Sequence, residues 1–203
     1  MIERRFVLSL AAASLLFASA AAPAQSHESG APLGLRWGSS TEEVKADGIE
    51  LKEYQSSDYG ATYVATKLGK TLSDQNRTLL SFGLNNKLWR IVAISRDYSN
   101  DPAGVGLLER YSQLSASLKE KYGKPTTVHR LGGSNYSQPK YFLAGIRGGE
   151  SKWFSNFKAP DMQIQLGLVA TDSSTGAWRL IYEYAPLSII FEDAKKNSEK
   201  DKL

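Results

Sequence analysis

Between Asp101 and Gly123 the chain carries an apolar stripe that fixes the largest part of its architecture. Leu107, Tyr111, Leu114, Leu118 and Tyr122 recur at spacings of four, three, four and four, which places them on one face of an α-helix. Asp101 is positioned to cap, Pro102 suits the first helical position, and Gly123 followed by Pro125 stops the element. The pattern predicts a helix over 102–122, although Gly104 and Gly106 weaken its first turn and allow a start near Val105. A stripe of that width must be buried, and the rest of the chain offers strands to bury it.

Before the helix, "SSTEEVKADG" predicts a short helix. Ser39 or Ser40 caps it, Glu42 and Glu43 favour its positive end, and Gly48 stops it. "GATYVATKL" (60–68) is β-favouring, and "TLLSFGL" and "KLWRIVAISRDY" flank Asn85-Asn86, a hairpin signal because Asn tolerates positive φ. In the second of these, Leu88, Val92 and Ile94 are expected on one face and Trp89, Ile91 and Ala93 on the other, so the strand should be central and covered on both sides for part of its length. After the helix, "TTVHRL", "YFLAGI", "KWFSNF", "MQIQLGLVAT" and "WRLIYEYA" read as strands. Met162, Ile164, Leu166 and Leu168 alternate with Gln163, Gln165, Gly167 and Val169, which describes one wet face. In the last strand either Trp178, Leu180 and Tyr182 or Arg179, Ile181 and Tyr184 point inward.

These elements predict an α+β fold: one or two antiparallel sheets packed by the long amphipathic helix and the short N-terminal helix. One domain spans 34–190, and the element order also allows two related halves, 34–100 and 101–190. From Ser188 the chain has helical character, and the charged tail 191–203 is expected to fray.

Residues 1–24 have the grammar of a cleaved export signal. Arg4 and Arg5 precede an apolar core, and Ala22-Pro23-Ala24 puts small residues at the cleavage positions before Gln25. The apolar core is shorter than the ~20 residues that span a bilayer. A flexible leader, 25–33, follows. The expected location is the periplasm or the exterior, reached by the general secretory route rather than the twin-arginine one. Loss of Glu3, Arg4 and Arg5 changes the net charge from +4 to +3, too small a surplus to suggest a nucleic-acid partner. The chain has no Cys, so thiolate nucleophiles, disulfides, lipid attachment through Cys and Cys-based metal sites are excluded by inventory.

Two His remain. His27 lies in the polar leader and His129 at an apparent strand end, which is not the sphere that catalytic zinc needs. No G-x-S-x-G elbow supplies a serine nucleophile. No metal, cofactor or catalytic residue is expected, and His129 reads as a half-exposed strand-end residue. Acid–base chemistry through Glu150, Asp161 or Glu183 stays open as an alternative, though no paired spacing singles them out.

The partner-binding candidate is "GIRGGESKWFSNFKAP" (145–160). Arg147, Lys152 and Lys158 interleave there with Trp153, Phe154 and Phe157, a composition that suits an interface or an anionic glycan. In the competing reading Trp153 and Phe157 serve the core. Trp37, beside Gly38 and the helix cap, is expected as a buried lid over the first helix.

"GLRWGSSTEEVKADGI", with "NNKLWRIVAI" and "LKEKYGKP" downstream, resembles a broad group of small exported bacterial proteins with a Trp-Gly, Ser, Glu-Glu-Val helix opening. The opening is also similar to outer-membrane assembly lipoproteins of the SmpA/OmlA type and to β-lactamase-inhibitor-like modules. The resemblance implies short helices on a small antiparallel sheet, and binding of other proteins rather than catalysis. Because the acylated Cys is absent, it does not extend to membrane tethering. The expected function is a non-catalytic envelope protein that binds a protein or cell-wall component. The alternatives are an inhibitor or immunity protein against an envelope enzyme, and a carboxylate-dependent hydrolase.

Overall fold

The computed structural model describes residues 30–200; the export signal, most of the leader and residues 201–203 lie outside them. Its frame is one eight-stranded antiparallel sheet with the order β1-β2-β3-β4-β8-β7-β6-β5. The strands are β1 (Glu50–Ser57), β2 (Gly60–Thr66), β3 (Gln75–Gly83), β4 (Lys87–Ser95), β5 (Thr126–Arg130), β6 (Lys152–Ala159), β7 (Met162–Ala170) and β8 (Gly176–Tyr184). The helices are α1 (Thr41–Ala46), α2 (Val105–Tyr122), α3 (Phe142–Arg147) and α4 (Ala185–Lys200). The α+β class read from the sequence is the class observed.

Each half runs helix, then four antiparallel strands in chain order: α1 with β1–β4, and α2 with β5–β8, where α3 is inserted between β5 and β6. The halves join antiparallel along their last strands, β4 and β8, where Val92 faces Ile181. The topology therefore has an approximate two-fold axis at that pair, on which Arg90 of one half corresponds to Arg179 of the other.

Local signals explain the elements. Ser40 and Glu43 form a reciprocal capping box on α1, which satisfies two amide donors at once. Gly38, at φ +76, makes the tight entry, and its N–H donates to the Leu88 carbonyl at 2.9 Å. Trp37 is half-buried, stacked at 5.6 Å on Tyr184 at the end of β8. Asn85 and Asn86 take φ of +60 and +55 to turn β3 into β4. The Asn86 amide then donates to Thr41 Oγ1 and Glu42, both at 2.8 Å, so the hairpin tip is tied to the start of α1.

α2 starts at Val105, and Asp101 caps from outside it, accepting from the Gly106 N–H at 2.9 Å. Leu107, Tyr111, Leu114 and Leu118 are buried against β6, β7 and β8, each worth roughly 1.5–3 kcal/mol as an upper figure. One core runs under both halves, from Leu35 and Val44 through Leu80, Ile91 and Trp178 to Leu166 and Phe157. On β8 the inward set is Trp178, Leu180 and Tyr182.

Four expectations need correction. "YFLAGI" is not a strand: most of it forms α3, where Phe142, Leu143 and Gly145 are buried; six residues are too few for periodicity to separate helix from strand. Glu50–Ser57, mostly exposed and without an apolar face, is the edge strand β1, unmarked by any burial pattern. In β4, Ser81 pairs with Arg90 but Phe82 pairs with Leu88. The extra residue is a bulge that moves Leu88 to the face of Ile91 and Ala93 and sets Trp89 toward the face of Val92. The tail does not fray at 191: α4 continues to Lys200, with Phe191 stacked at 4.4 Å on Trp89. That contact gives β4 its cover on the second face, at one end only. Among the described residues no helix is long and apolar enough to cross a membrane.

Candidate functional site

The six residues proposed for partner binding do not form one patch. β6 alternates, and its register assigns the sides: Trp153 pairs with His129 and Phe157 with Ile164, while Phe154 pairs with Gly167 and Lys158 with Gln163. Trp153 and Phe157 face the helices. Phe157 is 1% exposed. Trp153 is half-buried, stacked at 4.1 Å on His129 and edge-on to Phe142 at 5.5 Å. Lys152, Phe154 and Lys158 point to the other side of the sheet, and Arg147 is exposed at the end of α3.

His129 ends a chain of hydroxyls beneath α2. Its Nε2 lies 3.1 Å from Tyr111 Oη, which is 2.7 Å from Ser155 Oγ, itself 2.9 Å from Thr127 Oγ1. Burial lowers the His129 pKa; burial also raises that of Tyr111, against the opposing hydrogen bond with Ser155. A serine nucleophile needs His contact and access to substrate. Ser155 is 1% exposed, and the ring nitrogen meets Tyr111 instead, so the chain works as a strut between α2, β5 and β6. Tyr111→Phe should lower stability by about 1–3 kcal/mol, because it strands buried polar groups; thermal unfolding at pH 7 checks this.

Of the acids held as alternatives, Asp161 and Glu183 lie at the same end of the paired strands β7 and β8. Glu150 precedes β6, Asp161 lies in the β6–β7 turn, and Glu183 is on β8. No group of three or more His, Asp or Glu among the described residues could hold a metal.

The other side of the sheet is the open one. α2 and α3 pack against β6–β8 through the buried core, and α1 joins the same core through Val44, so all three lie on one side. On the opposite face the registers define three rows running across the strands. The middle row reads Lys52, Val64, Leu79, Val92, Ile181, Gln165, Asn156 and Thr126. Below it lie Gln55, Thr62, Ser81, Arg90, Glu183, Gln163 and Lys158, and above it Arg77, Ile94, Arg179, Gly167, Phe154 and Val128. An aliphatic strip, buried at Val92 and Ile181, is thus flanked below by a polar row and above by a row in which Arg77 and Arg179 stand among Ile94, Phe154 and Val128. Two depressions of about 390 and 410 Å³ mark this face and share Arg90 and Glu183. α4 walls the first through Phe191, Glu192 and Lys195.

Sequence reasoning missed this face because its marker is pairing register, which links residues far apart in the chain. The nearest signal was the wet alternation of Gln163, Gln165 and Gly167. Compared with known protein families, curated proteins and solved structures, the chain matches none. The structure defines the class alone: an α+β protein whose helices α1–α3 cover one side of a single antiparallel sheet.

Proposed function

We propose that this chain is a non-catalytic exported binding protein, and that it seats a protein partner on the open face of its sheet. The observation that carries the reading is the row pattern of that face. An aliphatic strip runs from the half-exposed Val64 and Leu79 to the buried Val92 and Ile181. A polar row borders it below, and Arg77 and Arg179 stand among Ile94 and Phe154 above; apolar surface edged by charge is the anatomy of a protein interface. Export rests on the Arg-led apolar leader and the Ala-Pro-Ala exit at residues 22–24, and it places the partner in the envelope or outside the cell.

The test uses the mature chain as bait in an extract of the exported fraction. Wild type should retain a stoichiometric protein partner. Ile94→Asp, which sets a charge in the upper row, should reduce capture at least tenfold, whereas Glu120→Lys on the exposed side of α2 should not. Equal capture by the two variants would place binding elsewhere and end this reading. Sequencing the secreted product should find Gln25 at its start; an intact leader would remove the export argument.

A further inference from the structure

The two halves place an arginine at the same position on the open face, but only one of the two is neutralised. Arg90 faces Glu183 across the seam, with Nε 3.0 Å from Oε1. The contact is close in distance but off the hydrogen-bonding direction, since that buried Nε makes no hydrogen bond. By the two-fold relation, the position opposite Arg179 is filled by Ile94. On its other side Arg179 faces Gly167, which has no side chain, and Phe154 stands beyond. Arg179 is exposed, and its side chain has no ion pair or hydrogen bond among the described residues. An exposed guanidinium that stands beside a second one and is unanswered by its own fold attracts an anion from outside.

Two sources of that anion are chemically distinct. A phosphate- or sulfate-bearing polymer would satisfy the charge and leave the half-exposed Val64, Leu79, Ile94 and Phe154 uncovered. A protein segment with an acidic side chain flanked by apolar ones would satisfy both. We propose that the open face receives an acidic–apolar segment of a partner protein whose carboxylate pairs with Arg179, taking the place that Glu183 holds for Arg90. This rests on the open-face reading above and specifies its occupant. Asn156 and Gln165, joined at 2.9 Å across β6 and β7, border the site with neutral donors and acceptors that can meet the segment's backbone.

The probe is a synthetic peptide of alternating Leu and Glu, titrated into the isotope-labelled mature chain, with a Leu–Gln peptide and inorganic phosphate alongside. The Leu–Glu peptide should shift amide signals of β4, β7 and β8, and Arg179→Met should weaken it about tenfold while Arg179→Lys restores part of the loss. Glu183→Gln should tighten it several-fold, because it removes the competing carboxylate and releases Arg90; a merely structural role for the ion pair would not give that sign. Equal binding of the Glu and Gln peptides, an unaffected Arg179→Met, or phosphate binding at the same signals with equal strength would overturn the proposal. If both peptides bind the face alike while Ile94→Asp still abolishes capture, the carboxylate inference alone fails. If neither peptide shifts the face and Ile94→Asp leaves capture intact, the underlying reading fails with it.

Discussion

Replacing Asp74 with Ala is expected to lower stability by about 3–5 kcal/mol, the range for breaking a largely buried charge pair. This carboxylate joins the two halves. Oδ1 accepts from Arg110 on α2, at 2.7 Å from Nη2 and 3.1 Å from Nε. Oδ2 accepts from the Tyr98 hydroxyl at 2.7 Å and the Trp178 indole N–H at 2.8 Å. Its side chain is 11% exposed and that of Arg110 22%, so solvent cannot readily replace the lost acceptor. At roughly 2–4 °C per kcal/mol for a chain of this size, the melting temperature should fall by on the order of 10 °C.

Asp74→Asn keeps the shape but turns an amide N–H₂ toward one of those donors, so it should recover only part of the loss. The pH dependence separates charge from shape. Burial alone would raise the Asp74 pKa, but hydrogen bonds from Arg110, Trp178 and Tyr98 and the Arg110 charge outweigh it and hold it at about 2, against 3.8 ordinarily. The neighbouring Tyr98 is pushed up to about 12, by burial first and by Asp74 next. Since the folded pKa lies below the unfolded one, the unfolded state takes up protons first as the solution is acidified. The stabilisation is therefore complete above pH 3.8 and is lost progressively toward pH 2. It amounts to about 2 kcal/mol at neutral pH. Denaturant titrations should show this acid-sensitive component in the wild type and not in Asp74→Asn; an identical slope in both would remove Asp74 as the hub.

The parts of this architecture that could be read in the sequence are those whose signals are local. The α2 stripe, the Ser40–Glu43 cap and the Asn85–Asn86 turn each lie within a few residues, and each forms as its local chemistry requires. The alternation in β7 likewise yields an inward Met162–Leu168 set and a polar opposite face. Three features were hidden because their causes are not local. β1 is an edge strand held by β2 and has no apolar face to announce it. The β4 bulge depends on the partner register at Ser81 and Phe82. Asp74 is one acid in a loop until Tyr98, Arg110 and Trp178 converge on it from 24 to 104 residues away.

The segment 145–160 shows how composition can mark a region without assigning its faces. Interleaved aromatic and basic residues suggested one gripping surface, but a strand sends successive side chains to opposite sides. Phe157, on the helix side and 1% exposed, should behave as core. Phe157→Ala is expected to cost about 3–5 kcal/mol, a fall of roughly 10 °C in melting temperature, with partner capture unchanged at a temperature where the variant is folded. Phe154, half-exposed beside Gly167 on the open face, should behave in the opposite way. Phe154→Ala should move the melting temperature by only a few degrees, in line with about 1 kcal/mol for a partly exposed ring, and should weaken capture. Two phenylalanines three residues apart would then divide stability from binding. A Phe154→Ala variant that unfolds as readily as Phe157→Ala, or that binds like the wild type, would mean that the open face is used for packing.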